Sequence, residues 1–369
     1  MWRRSWAWPT LSSTSATQLE AARLNAPASS LPLALTMGDP AGIGPEIILK
    51  AFALHPEQMR GVCVVGDLAA MQQHLNSLSA VLPVQLQCIA VQDLPQVWRM
   101  GNLHVPVLQA GASLPFKPGQ ASAEGGRMAA AAVSWAAQAA LRGEVAAVVT
   151  APLHKKALSL AGVDHPGHTE MLQALAAAHL GVSVADLPVR MMLRSPGLST
   201  VLVSIHVSLR QAIEAVTVAN VLQTLRITHT AWLQLHGRAP RMVVAGLNPH
   251  AGEDGLFGTE ELTEIAPAIA QAQQLGLQVS GPYPPDTVFM NAHSAAGQAS
   301  TDVVVAMYHD QGLIPVKYLG LENGVNQTLG LPFVRTSPDH GTAFDIVGQG
   351  VADPSSLLAA VRVARGQAV

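Results

Sequence analysis

The stretch LPLALTMGDPAGIGPE (31–46) joins an apolar run of strand length to a polar, glycine-rich turn. Further along the chain, short apolar runs alternate with alanine-rich segments of helical character. Strand–helix alternation is typical of a largely parallel sheet, and strands without polar alternation are typical of burial on both faces. The sequence therefore predicts an α/β protein with strands at 31–37, 61–66, 84–89, 145–150, 198–205, 240–247 and 302–308 and helices at 121–142, 168–180, 208–235, 259–275 and 354–365.

The composition excludes several classes of protein. Charged residues make up 12% of the 369 residues, about half of the roughly 25% usual for soluble domains. A formal net charge of −3 without a long basic run argues against a nucleic-acid surface. The longest apolar stretch, residues 128–141, falls short of the roughly 20 residues that span a bilayer. We expect no membrane and no nucleic-acid partner, about two domains, and apolar surface available for an interface.

The cysteines and the first residues bear on location. Cys63 and Cys88 lie in apolar runs, which favours buried reduced thiols and a cytoplasmic protein over a disulfide framework. Residues 1–31 are rich in Ser, Thr, Ala and Pro, and no apolar segment follows Arg3 and Arg4. We expect a disordered N-terminal extension, with a twin-arginine or mitochondrial address as the alternative.

Polar residues follow the predicted strands directly. They occur at 38–46, at 151–155, at His206, at 248–250 and at 309–312. In open parallel sheets, ligands bind beyond the carboxyl ends of the strands. These segments are therefore expected to assemble one site from distant parts of the sequence.

Three histidines of this set, His206, His250 and His309, each follow a valine-rich run. Together they could supply three imidazole nitrogens to a zinc-like ion and leave one coordination position open for substrate. Each alone is more often a hydrogen-bonded loop histidine, and their spacing is not a metal motif. Asp310 could orient the neighbouring ligand or hold substrate, or it could simply cap a turn.

Two further groups suggest ligand binding. The segment 339–350 combines small residues with an acid that could accept hydrogen bonds from ribose hydroxyls, although a glycine-rich surface loop would look similar. Gly42 and Gly44 do not complete a dinucleotide fingerprint. Lys317, Asn326 and Arg335 could bind an anionic substrate, or they could be solvated loop residues.

Seven motifs resemble, in the same order, those of the 4-hydroxythreonine-4-phosphate dehydrogenase family of pyridoxal phosphate synthesis. They are GDPAGIGPE (38–46), GHTEML (167–172), GLNPHAGE (246–253), GTEE (258–261), MYHDQG (307–312), VKY (316–318) and VNQTLGLPFVRTSPDHGTAFDIVG (325–348). That family is related to the isocitrate and isopropylmalate dehydrogenases. The resemblance implies two α/β/α domains with largely parallel sheets, isopropylmalate-dehydrogenase-like, with the active site in the interdomain cleft and a nicotinamide site that is not a Rossmann site.

The resemblance also implies a domain division. We expect a first domain from 32–150 plus 328–369 and a second from 151–327, which carries the metal ligands and the dimer interface. Strands 198–205 and 240–247 should then lie in a sheet separate from that of 31–37. The partner is expected to be a second copy of the chain, in a homodimer whose active site is shared between subunits.

The site residues carried over from the family fall into three sets. The metal ligands for one divalent ion per site, Zn, Mg or Co, would be His206, His250 and His309. The substrate contacts would be His168, Thr169, Lys317, Asn326 and Arg335, with Lys317 as the catalytic proton acceptor. The cofactor contacts would be His340, Gly341, Thr342 and Asp345. The segment 181–198 departs from the family pattern, which weakens the assignment of His206 relative to the other two histidines.

The implied reaction is the NAD-dependent oxidation of 4-phosphooxy-L-threonine, followed by decarboxylation to 3-amino-2-oxopropyl phosphate in pyridoxine 5′-phosphate synthesis. The alternative is a paralogue that oxidises threonate or erythronate phosphate. A zinc hydrolase using the same histidines would leave the 340–350 segment without a role. Asp345 would repel a 2′-phosphate, which favours NAD, with NADP as the alternative cofactor.

Overall fold

The computed structural model describes residues 31–293, 300–320 and 322–369. In this part of the chain, twelve strands form one mixed sheet. The strands are β1 (Leu33–Thr36), β2 (Val62–Gly66), β3 (Gln87–Ala90), β4 (His104–Gln109), β5 (Ala147–Thr150), β6 (Arg190–Ser195), β7 (Leu198–Leu202), β8 (Met242–Ala245), β9 (Val279–Tyr283), β10 (Val303–Ala306), β11 (Val325–Leu329) and β12 (Val334–Pro338). Their order is β3-β4-β2-β1-β5-β12-β11-β6-β7-β10-β8-β9. The predicted N-terminal extension, 1–31, lies outside the described residues except for Leu31.

Helices alternate with the strands, as the sequence predicts. They are α1 (Gly44–Leu54), α2 (Pro56–Met59), α3 (Leu68–Leu78), α4 (Ala123–Leu141), α5 (Lys155–Leu160), α6 (His168–Leu180), α7 (Leu209–Glu214), α8 (Val218–His236), α9 (Ala266–Gln274), α10 (Val288–Ala292), α11 (His309–Tyr318) and α12 (Ser355–Ala364). Short 3-10 segments occur at Leu94–Arg99 and Val184–Asp186, and a π turn, Glu261–Ile265, leads into α9. Among the described residues, we find no helix with both the length and the hydropathy needed to cross a bilayer.

Both faces of the sheet are buried. In β1, Leu33 and Leu35 pack in one apolar cluster while Ala34 packs in another on the opposite face. In β10, Val303 and Val305 likewise lie on one face and Val304 on the other. Successive strand residues point to opposite faces, so apolar runs without polar alternation mark strands covered on both sides. The prediction of a mostly parallel α/β fold is confirmed.

The prediction of two separate sheets is wrong. Strand β12 pairs in parallel with β5, and then β12–β11, β11–β6 and β6–β7 are antiparallel ladders. Beyond them, β7 pairs in parallel with β10. Strands β11 (VNQTL) and β12 (VRTSP) were not predicted from the sequence because polar residues interrupt them. Their main-chain hydrogen bonds join the two parallel parts of the sheet into one.

The buried apolar residues nevertheless form separate clusters in the two parts of the sheet. Two buried clusters draw mainly on residues before Pro188 and after Gly330, and two draw on residues between Met191 and Leu329. Helix α6 joins a first-half cluster through Met171 and Leu172, although it falls in the predicted second domain. The domain boundaries 32–150 plus 328–369 and 151–327 stay a prediction.

Other differences have local causes. The predicted helix 208–235 is two helices, because Thr217 accepts a hydrogen bond from the Asn220 N–H at 3.2 Å and caps the start of α8. Strands β4, β6 and β9 and helices α1, α2, α3, α5, α10 and α11 were also missed. These strands span five or six residues and these helices four to eleven, lengths at which a short apolar run does not distinguish strand from helix.

Candidate active site

A cavity of about 320 Å³ opens at the antiparallel part of the sheet. Five residues predicted from the sequence line it: Thr169, His206, His309, Lys317 and Asn326. They come from the start of α6, the segment after β7, both ends of α11, and β11. The structure thus brings together two predicted metal ligands and three predicted substrate contacts.

His206 and His309 lie side by side in this cavity, with ring centroids 5.7 Å apart. His309 is the first residue of α11, and its Nδ1 lies 2.6 Å from the Asp310 carboxylate. This contact leaves the other ring nitrogen, Nε2, available to a ligand, and it is the arrangement usual for a metal-binding histidine and its supporting acid. Asp310 therefore orients its neighbour, one of the two roles expected for it.

The third histidine, His250, is held apart from this pair. It lines a different, larger cavity of about 1000 Å³ together with Tyr308, Asp310 and Gln311. Among the described residues, no group of three His, Cys, Asp or Glu side chains is placed to hold a metal ion. One chain thus supplies two neighbouring imidazoles and does not complete the predicted set of three. The metal-site assignment stays a prediction.

The backbone that carries His250 has an unusual conformation. Residues 250–254 all have positive φ, from 43° to 83°, so they form a short left-handed turn. An L-residue in that region costs roughly 1–2 kcal/mol, and only Gly252 in this segment avoids the cost. Gly252 is also required by space, because a Cβ there would lie 2.7 Å from Glu261 Oε2.

The buried carboxylate of Glu261 anchors the same segment. Oε1 accepts hydrogen bonds from the main-chain N–H groups of Leu247 at 2.6 Å and Asn248 at 2.7 Å. Oε2 accepts a further bond from Asn248 Nδ2 at 2.9 Å. From the sequence, Glu261 is predicted only as an acid at the start of a helix, where the helix dipole favours it. An acid in a predicted helix start is ordinarily read as a helix-dipole residue, which hides its contact with a distant loop.

A second residue missed from the sequence is Gln311. Its side-chain oxygen accepts from the Met307 N–H at 2.7 Å, and its Nε2 donates to the Gly246 carbonyl at 2.7 Å. The end of β10, which leads to His309, is therefore tied to the end of β8, which leads to His250. Only the position of Gln311 beside His309 and Asp310 could have pointed to it.

Beneath the cavity, Arg335 of β12 is 4% exposed and donates to Thr328 Oγ1 at 3.0 Å and Thr150 Oγ1 at 2.8 Å. Burial lowers the pKa of its guanidinium to about 10, although the Glu170 carboxylate opposes that shift. His168 lies near it, and its Nε2 is buried with no hydrogen-bond partner in the described part of the chain. Burial and then the charge of Arg335 hold the pKa of His168 well below its usual value. The imidazole is therefore neutral near pH 7.

Lys317 faces Asp339, a carboxylate that was not among the predicted site residues. Its Nζ lies 2.9 Å from Asp339 Oδ2, and both residues line the cavity. Across the cavity, Arg190 of β6 donates to Thr224 Oγ1 at 2.7 Å and Gln223 Oε1 at 2.7 Å. Asp339 immediately precedes the segment expected to bind a cofactor, so this ion pair connects the two predicted subsites.

The expected cofactor segment packs on the first glycine-rich turn. The Ile43 N–H donates to the Thr342 carbonyl at 3.0 Å, and a Cβ on Gly42 would lie 3.0 Å from Thr342. His340 Nδ1 donates to the Gly341 carbonyl at 3.0 Å, while the side chain of Asp345 is exposed. Two loops some 300 residues apart thus form one glycine-rich surface beside the cavity.

The same surface includes a buried acid. Asp39 is fully buried, and its Oδ1 accepts the Ala41 N–H at 2.9 Å. Burial raises the pKa of Asp39, against the opposing effects of that hydrogen bond and of His154. The His154 ring stacks on Phe344 with centroids 4.7 Å apart. The APLHK segment (151–155) therefore meets the 340–345 loop, as expected for strand ends that assemble one site.

Comparison with known proteins agrees with these motifs. The profile of the family described as Pyridoxal phosphate biosynthetic protein PdxA matches residues 58–364. The chain is 49% identical over 326 residues to a 4-hydroxythreonine-4-phosphate dehydrogenase of Beijerinckia indica, covering 88% of this chain and 92% of that protein. It is 42% identical over 336 residues to a D-threonate 4-phosphate dehydrogenase of Salmonella typhimurium, covering 90% and 97%.

The fold is also similar to that of a solved structure. The crystal structure of a 4-hydroxythreonine-4-phosphate dehydrogenase from Klebsiella pneumoniae matches with a TM-score of 0.80 and 39% identity. The match covers 92% of this chain and 100% of that one. The similarity therefore extends over the whole sheet rather than over isolated motifs.

The environment of His168 predicts a pH effect. Because the folded protein disfavours the imidazolium, the unfolded chain binds the proton more readily once the pH falls below the ordinary histidine pKa of about 6.5. We expect the His168 ring resonances to stay in the neutral form between pH 8 and 5.5, with this residue destabilising the fold as the pH falls below about 6.5. Histidine ring NMR measures this, and His168→Gln assigns the resonances. A His168 ring that titrates near pH 6.5 would contradict the burial argument.

Proposed function

The chain belongs to the pyridoxal phosphate biosynthetic protein PdxA family and is a dehydrogenase, and on that premise we propose its reaction. It oxidises the secondary alcohol of 4-phosphooxy-L-threonine with NAD, and the β-keto acid loses CO2 to give 3-amino-2-oxopropyl phosphate. The observation that carries the proposal is the cavity that gathers Thr169, His206, His309, Lys317 and Asn326 above the buried Arg335.

The polar groups of the cavity suit a phosphorylated amino acid. Lys317 and Asn326 line it and present an ammonium and an amide to a phosphate or carboxylate. A neutral His168 can accept or donate a hydrogen bond without adding charge. Lys317 Nζ lies 2.9 Å from Asp339 Oδ2, at the wall of the cavity where an anionic group would bind. We therefore assign Lys317 first to anion binding and second to the proton transfer.

We propose that His206 and His309 of one subunit and His250 of a second subunit hold one divalent cation. The support is the pairing of the first two in one cavity and the separation of the third in another. When bound, such an ion, zinc, magnesium or cobalt, would favour loss of the hydroxyl proton and polarise the carbonyl that results. Asp310 fixes the ring of His309 for this role.

The surface around His250 supports a second copy as the partner. Met290 is 69% exposed, Ile314 is 65% exposed and Tyr318 is 91% exposed, and all three line the cavity that contains His250. A contiguous apolar surface of this kind is typical of a protein interface. A homodimer would bury it and would bring a foreign His250 towards another site.

For the cofactor, we assign NAD to the surface formed by residues 42–44 and 340–345. The close approach of these loops leaves main-chain groups open to a flat ligand, and the exposed carboxylate of Asp345 can accept hydrogen bonds from ribose hydroxyls. NADP is the alternative. We place the enzyme in the cytoplasm because Cys63 and Cys88 are buried and unpaired.

The first prediction from this assignment concerns the substrate. We expect kcat/KM with NAD to be about tenfold or more higher for 4-phosphooxy-L-threonine than for D-threonate 4-phosphate, because a site that hydrogen-bonds an amino group discriminates against an analogue lacking it. NADH formation measures both, with erythronate 4-phosphate as a third acid. The similarity to a D-threonate 4-phosphate dehydrogenase makes the reverse order the specific alternative. Turnover of none of the three would overturn the proposal.

A complementation experiment tests the shared site. His250→Ala and His309→Ala subunits, co-expressed with different tags, should each be inactive alone and regain activity in the heterodimer. Random pairing makes half of the dimers mixed, each with one intact site of two, so about a quarter of wild-type activity should return. Mixing His206→Ala with His309→Ala is the matched control and should restore none. Equal results from both mixtures would place all three histidines in one chain's site.

Substitutions of Asp345 test the assignment of residues 340–345 to the NAD site. A charged hydrogen bond is typically worth about 1.5–3 kcal/mol, so Asp345→Ala should weaken NAD use in kcat/KM by roughly tenfold to a hundredfold and narrow the gap to NADP. Asp345→Asn separates loss of charge from loss of hydrogen bonding. Steady-state kinetics with both cofactors gives the answer. Unchanged NAD and NADP constants in both variants would show that this residue does not contact the ribose.

A further inference from the structure

A second polar cavity lies at the other end of β6. Arg190, at one end of the strand, lines the candidate active site, whereas Arg194 and Ser195 line a separate cavity of about 160 Å³. The two arginines lie four positions apart in the strand, about 13 Å from each other. Trp232 of α8, Asp302 and the last residues, Ala368 and Val369, also line this space, which we term the Arg194 cavity.

Hydrogen-bond donors around the Arg194 cavity lack partners. Arg194 is 5% exposed, and neither its Nε nor its Nη1 has a hydrogen-bond acceptor anywhere in the described residues. Ser195 Oγ and Trp232 Nε1 are also buried and have no hydrogen-bond partner among the described residues. The guanidinium carbon lies 5.2 Å from the centroid of the Trp232 ring, a cation–π distance that fixes the side chain in place.

The charge of Arg194 is also unbalanced. Asp302 lines the cavity, but Arg238 donates to both of its oxygens at 2.8 Å, and Arg241 does so at 3.1 Å. Burial alone would raise the pKa of Asp302, yet these hydrogen bonds hold it below its usual value. The Asp302 carboxylate is thus already paired with Arg238 and Arg241, and no carboxylate of the described residues forms an ion pair with Arg194. Burial, reinforced by Arg194 and Arg238, lowers the pKa of the nearby His236 to about 4, so His236 adds no charge.

We propose that the Arg194 cavity binds a small oxyanion, a phosphate or a carboxylate, independently of the active site. The Arg194 guanidinium is the donor group that such an anion takes. Water in this space would satisfy hydrogen-bond donors without balancing the charge of Arg194. The anion is taken from solution.

The test is a titration of the protein with inorganic phosphate at constant ionic strength. Emission from Trp232 and the melting temperature are the two readouts, and Trp232→Phe identifies the relevant emission. We expect a saturable change in wild type, weakened about tenfold or more in Arg194→Met and less in Arg194→Lys. Lys317→Ala, altered in the active-site cavity, should keep the Trp232 response, which separates this site from phosphate binding to the substrate pocket.

Identical titrations for wild type and Arg194→Met, or no response from wild type, overturn the proposal. Circular dichroism checks that Arg194→Met is folded, and its kcat/KM should stay within about threefold of wild type, whatever the substrate proves to be.

Discussion

The main-chain ladder through β12, β11 and β6 is the constraint on which the site depends. Strand β11 pairs antiparallel on both sides, with Val325 opposite Pro338 of β12 and opposite Arg194 of β6. The two parallel parts of the sheet are joined only through this ladder in the described chain. Asn326 and Thr328 of β11 and Arg190 of β6 all line the candidate active site. A slip of one residue would turn these side chains to the other face, so the register of β11 fixes the cavity.

Much of this site could be predicted because its residues follow buried strands. His206 and His309 come directly after apolar runs, and the carboxyl ends of parallel strands meet at one edge. The junction itself could not be predicted, because β11 and β12 carry Asn326, Thr328 and Arg335 and do not read as buried strands. Their polar residues face the cavity or satisfy one another, as in the bond from Arg335 to Thr328. The polar residues that prevented the prediction of these strands are the same residues that line or support the site.

The position of His250 could not be predicted either, for an energetic reason. Four non-glycine residues, 250, 251, 253 and 254, adopt the left-handed conformation, which local sequence preferences disfavour. The segment keeps this conformation because the Glu261 carboxylate accepts three hydrogen bonds from Leu247 and Asn248 at the approach to the turn. Gln311 Nε2 adds a hydrogen bond to the Gly246 carbonyl, directly before Leu247. Strain held by distant anchors is common where a side chain must point in one direction for function.

Arg335 and Arg194 are the two most deeply buried arginines among the described residues, and their environments compensate for the lost hydration in different ways. Burial lowers the pKa of both Arg335 and Arg194 to about 10. Arg335 donates to two threonine hydroxyls and has the Glu170 carboxylate nearby, so its cost is offset within the fold. Arg194 has a tryptophan ring and no carboxylate partner among the described residues. In a chain with so few charges, a guanidinium buried without a counterion is unfavourable unless an anion from outside the fold neutralises it.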